Sequence, residues 1–383
     1  MKIDEVRIHP VTLPFSGDFS HSRKSGASAK NVIVELIAGE GELRGYGEGA
    51  PRSYVTGESQ DSANESIKLF LETGSFPWDL LDISQIWDFV DSVPDGTKHN
   101  AALCALEMAL LDAVGKEHGR SIIEFFSKDF QADSVYYGAI LPLDEKSRIT
   151  RLCRIIKRIG IHRVKLKMGK DLKKNKEIFE AAYEVFGNEY DLKIDVNGAW
   201  NRTTAFDHIH LMKNYGVKVV EQPMTPGDPD IVDFAEAMRS HGVKLMADES
   251  ACSLSEVKGV VSEGQYNMIN IRLSKCGGYR RSLRIIDYLR ESKIPFQIGC
   301  QLGESGLLSA AGRILSLLCK DATYHDGSYD AFLLRENITE THVSFGPKGK
   351  AGPLGGTGLG VKVNSRNLEL LSDQAGIVCF RRP

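Results

Sequence analysis

The chain has 383 residues and a formal net charge of −3, which is enough length for two domains and a large core. That charge gives no reason to expect nucleic acid or an anionic membrane as a partner, and no uninterrupted apolar run reaches transmembrane length. The seven cysteines are an odd number with no CxxC pair, which predicts reduced thiols in a cytoplasmic protein.

Met1-Lys2-Ile3-Asp4-Glu5-Val6 alternates and carries acids, so it reads as a strand and not as a signal peptide. Strands are expected over 2–13, 31–37 and 43–49, with a hairpin turn at 39–42. Residues 15–28 form a Gly/Ser-rich stretch with Phe19, His21, Arg23 and Lys24 interspersed, and read as a loop. A second loop, 50–58, carries Arg52 and Tyr54. Helices take over from about residue 59. Over 100–126, Ala101, Ala105, Ala109 and Ala113 recur at i+4 steps, a stripe that permits close packing, with a stop near Gly115 or Gly119.

From residue 134 short apolar runs alternate with helical segments. Strands are expected at 135–141, 163–167, 192–196, 217–221, 243–247, 268–273 and 294–299, with a weak eighth at 323–325. A period of about 26 residues favours a (β/α)8-type barrel of the α/β class over an open sheet. Neither GxGxxG nor GxxxxGK[ST] follows a first strand, as an open nucleotide-binding sheet would usually require. The Gly-rich stretch 346–360 is turn-rich, and 361–363 reads as a final short strand.

The charged strand ends carry the chemistry. Asp195, Glu221 and Asp248 close consecutive strands, and a barrel of this kind places its site at those ends. Three unpaired carboxylates that close repel strongly. A hard divalent cation relieves that repulsion, and Mg²⁺ fits the ligand set. Lys167 ends the second strand and Lys275 follows the sixth. Two such lysines are expected to face each other across a bound carboxylate substrate and move a proton α to it. Lys165 shares strand parity with Lys167 and is expected to bond the substrate carboxylate or tune Lys167. Asn197 and Gln222 are candidates for orienting the acids, and Glu249 for pairing with Lys275. His208 and His210, at i, i+2 in a helix, face different sides and read as non-functional.

Val164-Lys165-Leu166-Lys167, Asp195-Val196-Asn197, Glu221-Gln222-Pro223, Ala247-Asp248-Glu249-Ser250 and Lys275-Cys276-Gly277-Gly278 together resemble the enolase superfamily, and within it the muconate lactonizing enzyme subgroup. The resemblance covers nearly the whole chain. It implies an α+β capping domain over 1–130, a barrel over 131–340 and a tail over 341–383 that returns to the capping domain. It also implies Mg²⁺ on Asp195, Glu221 and Asp248, acid/base lysines, and a homo-oligomer. The substrate loops would bring Phe19, Arg23, Lys24, Arg52 and Tyr54 over the barrel mouth. Glu304 resembles a substrate-facing residue, and Asp330 a residue that holds the amino group of a dipeptide, with Ser328 in place of a companion acid. The expected activity is racemisation or epimerisation of a dipeptide or N-substituted amino acid. A muconate-type cycloisomerase, a β-elimination dehydratase and a catalytically silent metal-binding module remain alternatives.

Overall fold

The structure, a computed structural model, describes residues 1–21 and 24–382, the side chains of residues 18–25 excepted. β1 (Ile3–His21), β2 (Lys24–Ala38) and β3 (Leu43–Gly49) form an antiparallel meander. Where a loop is expected over 15–28, the described residues 15–21 and 24–28 form a β-ribbon. Pro14 pairs with Ser28 and, after a register shift, Phe19 with Gly26 and His21 with Lys24. Gly and Ser weaken a strand but leave the backbone free to complete a ladder.

Three helices follow: α1 (Gln60–Glu72), α2 (Ser84–Ser92) and α3 (Asn100–Glu117). The alanine stripe of α3 lies on a glycine face of β3. A Cβ on Gly47 would stand 2.0 Å from the Ala105 carbonyl, and one on Gly45 2.3 Å from that of Ala109. The helix stops at Glu117, within the expected region near Gly115 and Gly119, the latter at φ +63°, and a 3-10 turn covers Ile122–Phe125.

After β4 (Val135–Tyr136) the barrel begins. Its units are β5 (Ala139–Leu141) with α4 (Lys146–Ile159), β6 (Arg163–Lys167) with α5 (Leu172–Phe186), and β7 (Asp191–Asp195) with α6 (Arg202–Asp207) and α7 (Ile209–Asn214). Then come β8 (Val219–Glu221) with α8 (Ile231–Ser240) and β9 (Lys244–Ala247) with α9 (Leu254–Ser262). β10 (Met268–Ile271) is followed by the single turn α10 (Leu273–Cys276) and by α11 (Tyr279–Glu291). β11 (Phe296–Ile298) leads to α12 (Gly306–Leu317), and β12 (Tyr324–His325) to α13 (Asp330–Leu333). The eight strands β5 to β12 lie in chain order in one curled parallel sheet. Its two edge strands are not laddered together; the Gly138 N–H donates to the His325 carbonyl at 2.8 Å across the seam.

In the tail, β13 (Lys350–Ala351) pairs with β4, α14 spans Ser365–Leu371, and β14 (Val378–Arg381) adds to β1 in the N-terminal sheet, which has the order β14-β1-β2-β3. The strand expected at 361–363 makes one isolated bridge, Val363 to Thr339. The segment that joins the sheet is the four-residue alternation Val378-Cys379-Phe380-Arg381. No described helix is long and apolar enough to cross a membrane.

Candidate active site

The parallel register sets the charged strand ends in a row. Lys167 pairs with Asp195, and Asp195 with Glu221. Asp248 follows β9 directly. All three carboxylates are fully buried. Lys167 Nζ donates to Asp195 Oδ2 at 2.6 Å and to Asn197 Oδ1 at 2.8 Å. Lys165 reaches the next acid along, at 3.0 Å from Glu221 Oε2, and Asp326 Oδ2 at 2.9 Å. Burial alone would push the Asp195 carboxyl up, but Lys167 and Lys165 outweigh it and hold the group down at about 2. For Lys165, burial opposes the charge, yet Asp326, Glu221 and Asp195 keep its ammonium well above the ordinary range. Burial and the neighbouring Asp195 push Glu221 up.

Lys275 follows β10, four strands from β6, and so stands across the barrel mouth from Lys167. It is fully buried. Its ammonium donates to the carbonyls of Asn270 (2.5 Å) and Asp248 (2.9 Å) and lies 3.3 Å from Asp248 Oδ1. The chain leaves β10 at Ile271 and coils into α10, which sets the Lys275 ammonium beside Asp248. The residue that lines the cavity from this strand is Arg272. Its guanidinium bonds Asp248 Oδ2, lies 3.5 Å from Glu221 Oε1 and donates to Gln301 Oε1 at 3.0 Å. β6 and β10 are four strands apart in an eight-stranded order, which puts Lys167 and Arg272 on opposite sides of the barrel mouth. The sequence carried a signal for Arg272: it shares parity with Asn270, whose amide donates to Glu221 Oε1 at 2.8 Å.

The remaining candidates divide. Asn197, at φ +50°, bridges Lys167 and Glu249, its amide donating to Glu249 Oε1 at 3.2 Å. Glu249 is therefore neither a partner of Lys275 nor a surface charge. Burial, with Asp248 beside it, pushes its carboxyl up to about 8. Gln222 ties strand ends together, accepting from the Asp248 N–H (3.0 Å) and donating to Ser250 Oγ (2.7 Å). Arg52 is buried beside Tyr54 and Leu302, which line the main cavity, and its guanidinium holds the Leu302, Lys30 and Pro51 carbonyls and Asn31 Oδ1. A planar fork with five donors suits that loop-clamping work. Tyr54, Glu304 and Asp330 do line the cavity. Glu304 accepts the Gln301 N–H at 2.5 Å, and burial pushes it up to about 8. Asp330 Oδ2 accepts from Asn337 (2.7 Å) and the Val343 N–H (3.1 Å), while Oδ1 is buried without a partner. Ser328 Oγ accepts from Arg313 at 2.9 Å. Arg23 lies outside the described residues, as do the side chains of Phe19 and Lys24. His208 is a core residue, stacked on Trp200 and bonded to Asn175 at 2.8 Å.

Among the described residues, no three His, Cys, Asp or Glu side chains are already gathered into a metal-binding group; the acids are bonded to Lys165, Lys167, Arg272 and Lys275. In donor chemistry the set nevertheless fits a hard divalent cation. It consists of three buried carboxylates at adjacent strand ends, with no competing thiolate or imidazole bonded to them.

The sequence profile of the "Enolase C-terminal domain-like" family matches residues 148–367. The chain belongs to that family. A hydrophobic dipeptide epimerase from Enterococcus faecalis is 26% identical over 328 residues, 85% of this chain and 90% of that protein. An L-Ala-D/L-Glu epimerase from Bacteroides thetaiotaomicron is 30% identical over 313 residues, 81% of this chain and 76% of that protein. The crystal structure of an N-succinyl Arg/Lys racemase from Bacillus cereus superposes with a TM-score of 0.87 at 24% identity, covering 100% of both chains. These curated relatives are isomerases. The structural match shows the same fold, an enolase-type barrel with an antiparallel N-terminal sheet.

Proposed function

We propose that this enzyme removes and returns the proton α to a carboxylate, with Mg²⁺, and so racemises or epimerises a dipeptide or another N-substituted amino acid. The observation that carries the reading is Lys167 at the cavity wall, in register with Asp195 and Glu221 and held by Asp195 and Asn197. A lysine so placed is a short reach from a substrate carbon in the cavity, and in its neutral form it takes a proton from that carbon. Asp195, Glu221 and Asp248 would hold Mg²⁺, which when bound supplies positive charge to the substrate carboxylate as the α-proton leaves. Lys165 fixes Glu221 and Asp326, keeping the row of acids in place beside Lys167. Across the mouth, after β10, Arg272 presents a permanent positive charge, and Lys275, 3.3 Å from Asp248 Oδ1, is the second acid/base group that would return a proton to the opposite face. Asp330 Oδ1 offers an acceptor to an N–H or ammonium of the substrate. The names of the relatives, epimerases and racemases of amino-acid derivatives, support the same class of small carboxylate substrate.

The experiment is incubation of the purified protein with Mg²⁺ and a panel of dipeptides and N-acylamino acids, followed by chiral separation. Appearance of the second epimer from at least one member is expected. A panel left unchanged in configuration, with a β-elimination or ring-closed product instead, would replace the reading.

A further inference from the structure

One layer below the row of carboxylates, the barrel interior carries further charge. Lys165 on β6 and Lys193 on β7 are register partners. Lys165 has the parity of Lys167, and Lys193 that of Asp195, so both side chains turn inward, and both are buried. Two ammonium groups on neighbouring strands in a barrel interior repel each other unless a carboxylate compensates them. Asp326, directly after β12, is that carboxylate. Its Oδ2 lies 2.9 Å from Lys165 Nζ and 3.1 Å from Lys193 Nζ. Among the described residues it is the one carboxylate paired with both lysines.

The reach from β12 past β5 to β6 depends on Gly138, the residue before β5, where a Cβ would stand 2.9 Å from Asp326 Oδ1. Burial alone would push the Asp326 carboxyl up, but Lys165 and Lys193 outweigh it and hold the group well below the ordinary carboxylate range. The two lysines differ in what else they touch. Lys193 stays within its own layer: it donates to Gln297 Oε1, and its Nζ lies 4.3 Å from the centroid of the Tyr324 ring. The other ion-pair partners of Lys165 belong to the row above, Glu221 Oε2 at 3.0 Å and Asp195 Oδ2 at 3.8 Å. Lys165 is thus shared between Asp326 and the acids, and a small movement decides which of them it serves.

Resting on the reading that Asp195, Glu221 and Asp248 hold Mg²⁺, we propose that Asp326 is a positioning residue for the metal site. It gives the Lys165 ammonium a partner to keep when Glu221 Oε2 turns to the cation, so the metal does not have to leave a buried ammonium unpaired. Lys193 pins Asp326 in place from the neighbouring strand. Without Asp326, Lys165 settles on Glu221 and Asp195 and competes with the metal for them.

The test is calorimetric titration of Mg²⁺ into the parent, the double variant Asp326→Asn/Lys193→Met, Lys165→Met, and the combination of all three substitutions. Removing Asp326 together with Lys193 leaves the net charge of the layer unchanged, so the affinity reports where Lys165 sits and not how much charge surrounds it. With Lys165 in place, the double substitution should weaken Mg²⁺ binding about ten- to a hundredfold, the equivalent of one charge-assisted hydrogen bond. In the Lys165→Met background the same double substitution should change the affinity by less than about twofold. Equal weakening in both backgrounds, as a purely structural role would give, or no weakening in either, would overturn the proposal. A crystal structure of the Mg²⁺-loaded parent tests it without any variant that must fold. Lys165 Nζ should lie within hydrogen-bond distance of Asp326 and away from Glu221 Oε2, and a Lys165 parted from Asp326 would overturn the proposal. Failure of the metal reading is separately visible: a parent that binds no Mg²⁺, or binds it undiminished in Asp195→Asn, would remove that reading and this proposal with it.

Discussion

Arg272 sits where the acids that would hold Mg²⁺ converge, bonded to Asp248 and 3.5 Å from Glu221, so its removal has two consequences of opposite sign. In the metal-free protein, Arg272→Met leaves Asp248 and Glu221 with less compensating charge. Breaking a buried ion pair costs about 3–5 kcal/mol, a melting decrease of roughly 6–20 °C at about 2–4 °C per kcal/mol. Toward Mg²⁺ the variant should bind more tightly, because the parent must first release a charged hydrogen bond worth about 1.5–3 kcal/mol. That is about ten- to a hundredfold in affinity. Calorimetric titration of Mg²⁺ gives the affinities, and melts with and without Mg²⁺ give the stabilities. The metal should therefore restore more of the variant's stability than it adds to the parent's. Equal Mg²⁺ affinity in parent and variant would refute the placement of Arg272 against the metal-holding acids.

Lys275→Met should lower stability by about 3–5 kcal/mol, since it uncaps two buried carbonyls and Asp248, and the folded fraction should keep α-proton exchange from one substrate enantiomer only; parental exchange from both would take Lys275 out of the proton transfer. Gly47→Ala places a Cβ 2.0 Å from the Ala105 carbonyl, and a cost of about 1–3 kcal/mol or more is expected by chemical denaturation; a neutral result would contradict the close packing of β3 on α3. Glu35, bonded to His9, Arg44 and Tyr46, is held at about 2 against the opposing effect of burial. A carboxyl lowered on folding stabilises above its unfolded value near 4.5 and loses that stability as pH falls toward 2. Denaturation between pH 5 and 2 should thus show a shallower acid slope in Glu35→Gln than in the parent; identical slopes would sink the assignment.

The row of Lys167, Asp195, Glu221 and Asp248 was legible because each closes or directly follows a short strand, and parallel register turns equal strand ends into neighbours. Strand parity holds only while the chain is extended, and after Ile271 it coils into α10. Arg272, one residue past the strand, keeps the parity of Asn270 and reaches the site. The ribbon at 15–28 hid behind its Gly and Ser content, since ladder bonds belong to the backbone and leave no trace in side-chain chemistry. Arg52 was placed on the correct loop, but the neighbouring carbonyls that take up its guanidinium come from segments about 20 and 250 residues away, contacts that no local pattern encodes. The four-residue β14 was too short to stand out by alternation, and its partner β1 lies at the other end of the chain.

The central claim is that Lys167 moves the α-proton. The most direct measurement is proton NMR of an exchanging substrate in D₂O with Mg²⁺, comparing the parent with Lys167→Ala. The variant should melt as a folded protein, still gain stability from Mg²⁺, and lose exchange by about 10²–10⁴-fold, the usual contribution of a general base. Exchange at the parental rate in Lys167→Ala would contradict it.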